Sequence, residues 1–531
     1  MRLQSMPAGG SRLVRDYLAG TPRAARFYRG SPFAPGTYRR KADELDRTMG
    51  PGMREAAAPI VRPAGPGGAR ALREVLDRNG YFVTTGQQPG LLGGPLYSLY
   101  KALTAVRLAE DLTALLGRPV MPLFWVASED HDWEEANHAH VIDESNRLHR
   151  LTLGPNPGAV PRPLGRVRLG EGVVEIVNRL ERSFPHNDYR TRYTDLVRET
   201  FNPWATMASA FSDLMAELLR DTPVGLVDAA HPALKEASRP ILRAEAEDPA
   251  ASEEAVAETS DELAGLGYSL QVPVIPGAVN LLTDLEEGRD RLQRSGGGFT
   301  HRRSGRKLSK RRLMSLIEDA PGLVSPNVLL RPVVESFVFP TLAYVGGPGE
   351  LAYFGQLAGL FRHHGTGMPV AVPRASLLAV ETKVARVLDK FGLEVGDLRR
   401  GDALLTRFAR EQVPEDAGRA VGRWRDAVHS IAEELEQISA GIDPGLAGAV
   451  KKARNAGLSA LETLEKKIVR AIRRRSETAG GQIMKASVNL WPGGKPQDRV
   501  LTPLQYLMRY GADFTLAALG EARVELDSAT A

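Results

Sequence analysis

The sequence predicts an α/β protein with a doubly wound, mainly parallel sheet, insertions between its elements, and a separate helical antiparallel hairpin. Three observations support this prediction. Strand-like and helical segments alternate over about 300 residues, as in doubly wound folds. A strand, a glycine-rich loop and a helix follow one another twice, in residues 81–100 and 341–361. After residue 376 strand signals end, and apolar residues recur at coiled-coil spacing.

Composition limits the classes of protein that fit. The chain has 531 residues, 69 basic and 64 acidic side chains, and no cysteine. The formal charge of +5 is too small for a polyanion-binding surface but suits anionic small substrates. The lack of cysteine excludes disulfides, thiolate metal sites and a cysteine nucleophile. Without a signal peptide or a membrane-spanning run, the sequence predicts a cytoplasmic protein that binds neither membrane nor nucleic acid.

The chain divides into four predicted parts. Residues 1–80 form a helical lead-in that packs on the core, and residues 81–375 form the catalytic core with inserted subdomains at about 150–200 and 233–320. Residues 376–486 form the helical hairpin domain. Residues 487–531 form a tail that returns to the core.

The first glycine-rich stretch carries the first candidate site. Tyr81 to Val83 is strand-prone, Thr84 to Gly86 terminate it, and helical spacing begins at Pro95. The loop matches neither GxGxxG nor GxxxxGK[ST], so a tight turn without a ligand is an alternative. Two adjacent amides at a strand end favour a polar ligand. The predicted substrate-binding residues of this loop are Thr85, Gly86, Gln87 and Gln88.

A charged cluster follows the second predicted strand, which covers residues 118–127. Ser128-Glu129-Asp130-His131-Asp132 would lie at the carboxyl edge of the sheet, where open α/β folds bind ligands. A solvated strand end and a divalent-metal site are alternatives. Because consecutive residues cannot easily all face one ion, we expect no tightly bound metal and expect Mg²⁺ to arrive with a nucleotide.

Further candidates lie between residues 295 and 353. The basic, glycine-rich stretch 295–312 is either a mobile surface loop or a phosphate-contacting lid, in which Lys307, Ser309 and Lys310 would act. A second glycine loop begins at Gly346 and Gly347 and leads into a helix. Other predicted site residues near it are Asn327, Arg331, Glu350 and Tyr353. For Glu350 a structural role is the alternative, because a glutamate at a helix start interacts favourably with the helix dipole.

The predicted hairpin has an apolar seam followed by a break at Asp443-Pro444-Gly445. The first helix carries Val421, Trp424, Val428, Ile431, Leu435, Ile438 and Ile442 in 3,4 alternation. A two-helix hairpin buries little by itself, so we expect it to form a homodimer. The basic run on the returning helix is typical of a solvated face. In the tail, Trp491 and Lys495 are candidates to contact a nucleotide.

Four stretches resemble one known family. They are TTGQQPGLLGGPLY, FWVASEDHDWEEANHA, SPNVLLRPVVESFVFPTLAYVGGPGELAYF and KPQDRVLTPLQYLMRYG. In this order, over about residues 81–511, they resemble the BshC family, the cysteine-adding enzymes of bacillithiol biosynthesis. The resemblance implies a Rossmann-like core related to nucleotidylyl transferases and a coiled-coil domain that forms a dimer. It also implies that cysteine is joined through its carboxyl group to the amine of glucosaminyl malate.

Such a ligase is expected to use ATP with Mg²⁺, and binding of ADP would fit. We expect Gly346, Gly347, Lys307, Trp491 and Lys495 to contact the nucleotide. Arg331 would pair with a carboxylate. His131, flanked by Asp130 and Asp132, would accept a proton from the attacking amine, because carboxylates can orient an imidazole and keep it titrating near neutral pH. The alternatives are a nucleotidylyl transferase acting on another small substrate and a non-catalytic dimeric scaffold.

Overall fold

A computed structural model describes residues 1–7, 9–156, 158, 160–475 and 477–527. The chain forms two compact units. The core unit comprises Leu3–Ala379 together with the chain from Gln497 onward, and the helical unit comprises Val380–Pro496 with Met1–Arg2. In the described part of the chain, no helix is both long and apolar enough to cross a membrane.

The secondary structure has the following bounds. The strands are β1 (Arg2–Ser5), β2 (Val61–Pro63), β3 (Tyr81–Gln87), β4 (Val120–Val126), β5 (His138–Ile142), β6 (Leu148–Thr152), β7 (Gly225–Asp228), β8 (Ala278–Leu285), β9 (Gly288–Ser295), β10 (Gly298–His301), β11 (Lys307–Ser309), β12 (Val324–Pro326), β13 (Thr341–Gly346), β14 (Val370–Pro373) and β15 (Leu377–Val380). The helices are α1 (Arg12–Leu18), α2 (Pro22–Ala25), α3 (Pro35–Thr48), α4 (Pro51–Ala57), α5 (Pro66–Asp77), α6 (Tyr97–Leu116), α7 (Trp133–Ala136), α8 (Gly172–Arg182), α9 (Asp188–Thr200), α10 (Met207–Leu218), α11 (Pro232–Glu247), α12 (Pro249–Gly265), α13 (Lys310–Asp319), α14 (Arg331–Val338), α15 (Pro348–Gln356), α16 (Ala358–His363), α17 (Thr382–Phe391), α18 (Gly401–Glu411), α19 (Glu415–Ala440), α20 (Ala447–Arg475), α21 (Glu477–Leu490), α22 (Leu504–Tyr510) and α23 (Ala512–Glu521).

The main sheet of the core unit has the order β14-β13-β3-β4-β7-β2. Neighbouring strands from β14 to β7 are parallel, and β2 adds an antiparallel edge. Tyr81 and Val83 pack with α3 and α6 on one face, and Phe82 packs with α5, α11 and α14 on the other. Because a parallel sheet buries both faces under helices, strand β3 is apolar on both sides. The predicted fold class is confirmed, although β2 lies in the N-terminal lead-in, for which no strand was predicted.

Strand β3 continues to Gln87 and does not end at Thr84 as predicted. The two threonine hydroxyls have partners inside the sheet. Thr84 bonds the buried carboxylate of Glu335, and Thr85 Oγ1 donates to the carbonyl of Val345 at 2.7 Å. Because both hydroxyls have hydrogen-bond partners, burying these residues leaves no hydroxyl unpaired.

A second, antiparallel sheet lies in the insertion between β7 and β13, with the order β11-β10-β9-β8-β12. The basic stretch 295–312, expected to be a loop or lid, forms β10, β11 and the start of α13. Ser309 Oγ caps α13 by accepting from the backbone N–H of Arg312 at 3.1 Å. Lys310 Nζ donates to the carbonyl of Glu247 at 2.6 Å. Ser309 and Lys310 therefore serve the fold of the insertion.

In the helical unit, α19 and α20 form an antiparallel hairpin. Two ion pairs link the helices, Arg425–Glu465 at 2.6 Å and Arg454–Glu436 at 3.9 Å. The buried residues of α19 are Val421, which belongs to the predicted seam, and the small residues Ala432 and Ser439. The predicted seam therefore divides between two faces. Its large members remain exposed: Trp424, Ile431, Leu435, Ile438 and Ile442.

The helical unit extends to Pro496, whereas the sequence placed its end at residue 486. Local bonds explain the difference. Ser487 Oγ donates to the carbonyl of Leu398 at 2.8 Å, and Trp491 Nε1 donates to that of Val395 at 2.9 Å. These bonds hold the first ten residues of the predicted tail in the helical unit. Residues 528–531 of that tail lie outside the described residues.

Candidate active site

A cleft of about 600 Å³ lies at the carboxyl edge of the parallel sheet. Each of the strands β3, β4, β7, β13 and β14 contributes a lining residue at or just after its end; these are Gly86, Gln87, Ala127, Ala229, Gly347 and Arg374. The chain adds β4 and β7 on one side of β3 and then β13 and β14 on the other. The ends of β3 and β13 thus form the topological switch point, where open α/β sheets bind ligands.

The structure brings many of the predicted site residues together in this cleft. The lining includes Gly86, Gln87, Gln88, Asp130, His131, Asn327, Arg331, Gly347, Glu350 and Tyr353. Thr85, Asp132, Gly346 and Lys307 do not line it. The loops that follow β3, β4 and β13 therefore meet, as the two glycine-rich stretches and the charged cluster predicted.

These four residues lie elsewhere in the core unit. Thr85 is buried in the sheet, and Gly346 packs where a Cβ would lie 3.1 Å from Glu350 Cβ. Asp132 caps α7 by accepting from the N–H of Glu135 at 3.0 Å. Lys307 is an exposed residue of β11.

Glu350 lies in the first turn of α15 and is the centre of a buried charge network. Its carboxylate accepts from Gly347 N–H at 2.8 Å and from Tyr344 Oη at 2.5 Å. It also lies 2.5 Å from Lys101 Nζ. Burial alone would raise the pKa of Glu350, but the Lys101 ammonium and these hydrogen bonds hold the pKa below its usual value. The backbone N–H of Gly347, at the start of this helix, therefore already donates to a carboxylate of the protein.

Lys101 joins the two strand ends and was not predicted from the sequence. Its ammonium donates to the Gly86 carbonyl at 2.9 Å and to Gln87 Oε1 at 3.0 Å, in addition to pairing with Glu350. Burial lowers the pKa of Lys101, and the Glu350 charge opposes that shift. A single lysine in an amphipathic helix ordinarily faces solvent, so only the long-range pairing with Glu350 reveals its position.

Arg331 lies in the floor of the cleft, where other side chains of the protein hold its guanidinium. It pairs with Glu335 at 2.6 Å and reaches the hydroxyls of Tyr344 and Tyr353 at 3.3 and 3.4 Å. Burial would lower the pKa of Arg331, but Tyr344, Glu335 and Tyr353 raise it well above its usual value. Burial also raises the pKa of Tyr353, to about 12. Arg331 therefore remains a cation at any working pH.

Asn327 lines the cleft but uses its amide to hold the chain. Its Oδ1 accepts from the N–H groups of Leu329 and Leu330 at 2.9 and 3.0 Å, and its Nδ2 donates to Asn280 Oδ1 at 2.9 Å. These bonds fix the turn between β12 and α14. The side chain shapes the wall of the cleft and orients the helix that carries Arg331.

His131 lies in the wall that faces the inserted antiparallel sheet. Arg289 NH1 is 2.9 Å from its Nδ1. Asp130 Oδ1 accepts from the backbone N–H groups of His131 and Asp132, at 2.6 and 3.0 Å, and so holds the loop and not the ring. Burial lowers the pKa of His131, Arg289 lowers it further, and Asp130, Asp132 and Asp290 oppose this. The neighbouring carboxylates were expected to orient the imidazole, but the guanidinium of Arg289 contacts it instead.

Other charged groups of the cleft were also missed. Arg291 and Arg499 line it, and no carboxylate in the described residues lies within 4.0 Å of either guanidinium. Arg374 is already paired with Asp498 at 2.7 Å. Burial, with Asp132 and Asp130, raises the pKa of Glu135, which is also in the lining. The described residues contain no group of three His, Asp or Glu side chains arranged for a metal ion.

The helical unit has a cavity of its own, of about 710 Å³, lined by Arg399, Arg400, Arg407 and Gly494 among others. Trp491 is buried in this unit, and the guanidinium of Arg399 lies 5.7 Å from the centre of its indole ring. Lys495 is exposed. The role predicted for Trp491 and Lys495 in nucleotide binding stays a prediction.

Comparison with known proteins agrees with the fold and the resemblance. Residues 1–375 match the family model described as "Bacillithiol biosynthesis BshC, N-terminal Rossmann-like domain", and residues 377–523 match its C-terminal coiled-coil domain. Relatives named "Putative cysteine ligase BshC" include one from Salinibacter ruber, 36% identical over 82% of this chain and 79% of the relative. Those from Solibacter usitatus and Koribacter versatilis are 32% and 31% identical, each over 95% of this chain and over 93% and 94% of the relative. The chain therefore belongs to the BshC family of bacillithiol biosynthesis.

Proposed function

We propose that this protein joins the carboxyl group of cysteine to the amine of glucosaminyl malate and so forms bacillithiol. The observation that carries the proposal is the cleft at the switch point of a BshC-family Rossmann-like domain, with the Lys101–Glu350 network between its two strand ends. The name of the relatives, a cysteine ligase, supports the same reaction.

Both substrates carry carboxylates, since cysteine has one and the malyl group has two. In the described part of the chain, the lining arginines without a carboxylate within 4.0 Å are Arg289, Arg291 and Arg499. Arg289 is held by His131 and Ser325, which leaves Arg291 and Arg499 to suit such ligands. Arg331 and Arg374 carry further positive charge, held in place by Glu335 and Asp498. We place the substrate carboxylates among these guanidinium groups.

Amide formation from a free carboxylate needs an activated acyl group, which ATP with Mg²⁺ would supply. The cationic lining fits a triphosphate as well as a carboxylate. The backbone N–H of Gly347 already bonds Glu350, so we expect arginine side chains to do more than the helix start in holding phosphate. A cytoplasmic location, where ATP and free thiols are available, stays a prediction that cell fractionation tests.

The attacking amine must lose a proton. Glu135 suits this step because it lines the cleft and because its pKa is raised, which makes its carboxylate a stronger base. The other acids of the lining are less free. Glu129 pairs with Lys235 at 2.6 Å, and Glu350 pairs with Lys101. Asp130 accepts from two backbone N–H groups of its own loop.

Mass spectrometry tests the reaction. Purified protein is incubated with cysteine, glucosaminyl malate and Mg-ATP, and a matched sample lacks ATP. We expect bacillithiol only in the complete mixture, with ADP if the activated species is an acyl phosphate and AMP if it is an acyl adenylate. Folded protein that yields no bacillithiol from the complete mixture would contradict the proposal.

We also propose that the helical unit forms a homodimer. The exposed apolar stripe on α19 includes Trp424, Ile431 and Ile438 at seven-residue spacing, which is the pattern of a coiled-coil contact. A patch of this kind without a partner would favour aggregation. A second copy of α19 is the occupant that matches it in length and spacing. Light scattering should then report about twice the chain mass of 57.7 kDa.

A further inference from the structure

The contact between Arg289 and His131 fixes the chemistry of the imidazole. Arg289 is a buried residue of β9. Its backbone N–H donates to the Pro161 carbonyl at 2.8 Å, and its NH2 donates to Ser325 Oγ at 2.8 Å. With these two anchors, NH1 is held 2.9 Å from Nδ1 of His131. The arginine is therefore positioned by contacts within the protein, independently of any substrate.

A guanidinium has hydrogen-bond donors and no acceptor. Nδ1 of His131 must consequently accept, which leaves the proton of the neutral ring on Nε2. Among the described residues, Nε2 has no hydrogen-bond partner, and His131 lines the cleft. A general base needs a lone pair directed at the substrate, whereas here the lone pair is directed at Arg289.

We propose that Arg289 is a positioning residue that holds His131 as the Nε2–H tautomer, and that His131 donates a hydrogen bond to an anionic oxygen of a substrate. This inference rests on the proposed function for the identity of the substrates. The oxygen belongs to a carboxylate of cysteine or of the malyl group, or to a phosphate of ATP. His131 thus stabilises negative charge and does not take the proton of the amine.

The surrounding charges agree with this arrangement. The groups that act on the imidazole are Arg289, Asp130, Asp132 and Asp290. Burial and Arg289 lower the pKa of His131, and the three carboxylates only partly offset them. The ring is therefore neutral near pH 7. A neutral imidazole has two tautomers, and the contact with Arg289 selects one of them.

Nuclear magnetic resonance of the ¹⁵N-histidine-labelled full chain tests the tautomer without any turnover. The chain has ten histidines, and the signal lost in His131→Gln identifies His131. We expect Nε2 to be protonated and Nδ1 not, with a pKa below the ordinary value of about 6.5. A protonated Nδ1 in the wild-type protein would overturn the proposal.

Two arginine variants distinguish the effect of the Arg289–His131 contact from the effect of positive charge in the cleft. Arg289→Gln should raise the pKa of His131 and populate both tautomers. Arg291→Gln is the matched control, because it removes the same charge two residues further along β9 and also lines the cleft. It should leave the tautomer unchanged. Equal effects of the two variants would overturn the positioning role.

Substrate addition identifies the acceptor of the hydrogen bond. The His131 Nε2 signal is recorded after addition of Mg-ATP, cysteine or glucosaminyl malate separately. A shift with Mg-ATP assigns a phosphate oxygen, and a shift with either of the others assigns a carboxylate. No shift with any of the three would overturn the donor role.

Turnover then distinguishes a donor from a base. His131→Gln keeps an N–H donor but cannot act as a base, and we expect kcat/KM within about tenfold of wild type. His131→Leu has no donor and should lose about 10²–10³-fold. Equal losses in the two variants would overturn the donor role. If wild-type protein makes no bacillithiol, the proposed function fails, while the tautomer measurement still decides the role of Arg289.

Discussion

At the scale of single residues, the Lys101–Glu350 pair makes a prediction about stability and pH. Glu350→Gln keeps the shape but leaves the buried ammonium of Lys101 without its counter-charge. Breaking a buried pair costs about 3–5 kcal/mol, and the partial exposure of Glu350 (24%) reduces the expected loss to about 2–3 kcal/mol at pH 7. Urea-induced unfolding measures this difference.

The pH dependence of that loss follows from the direction of the shift. Because the pKa of Glu350 is lower in the folded protein, its contribution is complete above the unfolded-state pKa of about 4.3. It disappears as the pH falls through the folded-state pKa. The difference between wild type and Glu350→Gln should therefore shrink below about pH 4. A loss of the same size at pH 7 and pH 3 would contradict this account.

Glu110→Gln is the matched control. Glu110 also pairs with a cation in α6, Arg107 at 2.5 Å, but its side chain is 45% exposed. Exposed pairs contribute about 0–1 kcal/mol, so this variant should change stability little at either pH.

The residues that were missed share one property, which is that distant parts of the chain determine their environment. Gln87, His131 and Glu350 could be predicted because each follows a strand signal at the carboxyl edge of the sheet. Lys101 and Arg289 could not, because a lysine in a helix and an arginine in a basic strand ordinarily face solvent. Their burial depends on Glu350 and on Ser325, both far away in sequence.

At the scale of elements, the close packing of strands β3 and β4 predicts the effect of a substitution at Gly86. A Cβ at this position would lie 2.8 Å from the carbonyl oxygen of Trp125 on the neighbouring strand β4. Gly86→Ala should therefore separate the two strands locally, at a cost of about 1–3 kcal/mol, and reduce turnover. Unfolding by urea and the bacillithiol assay measure the two effects.

Gly349→Ala is the control for that variant, since Gly349 also lines the cleft. Its added Cβ would have no neighbour nearer than Gln271 Nε2 at 3.8 Å. We expect stability within about 0.5 kcal/mol of wild type. Similar losses in both variants would show that the spacing of β3 and β4 is not the cause.

Elements whose pattern is local were predicted well, and elements that depend on tertiary partners were not. The apolar runs of β4 and β13 follow from sequence because both faces of these strands are buried, and α6 follows from the helical spacing of its apolar residues. Four large apolar residues of α19 have the spacing of a seam but are exposed: Trp424, Ile431, Leu435 and Ile438. Its buried residues are Val421 and the small residues Ala432 and Ser439. Residues this small give no hydrophobic signal, so the sequence could not separate the two faces.

At the scale of the whole molecule, the exposed stripe of α19 predicts the oligomeric state. Ile431→Glu combined with Ile438→Glu places two charges in the stripe and should convert dimer to a monomer of 57.7 kDa. Ser430→Glu combined with Gln437→Glu is the control, because these residues are also exposed on α19 but lie off the stripe. Light scattering measures the molecular mass of both variants. A dimer that persists in the first variant would contradict the proposed contact.

The cleft has two walls of different origin. The edge of the parallel sheet supplies Glu350 and Lys101, whereas the inserted sheet supplies Arg289 and Arg291. Among the described residues, the side-chain partners of Lys101 and Glu350 all lie outside residues 278–326, so a substitution in the insertion need not disturb this network. Changes confined to residues 278–326 can therefore alter substrate preference while the parallel sheet keeps its architecture.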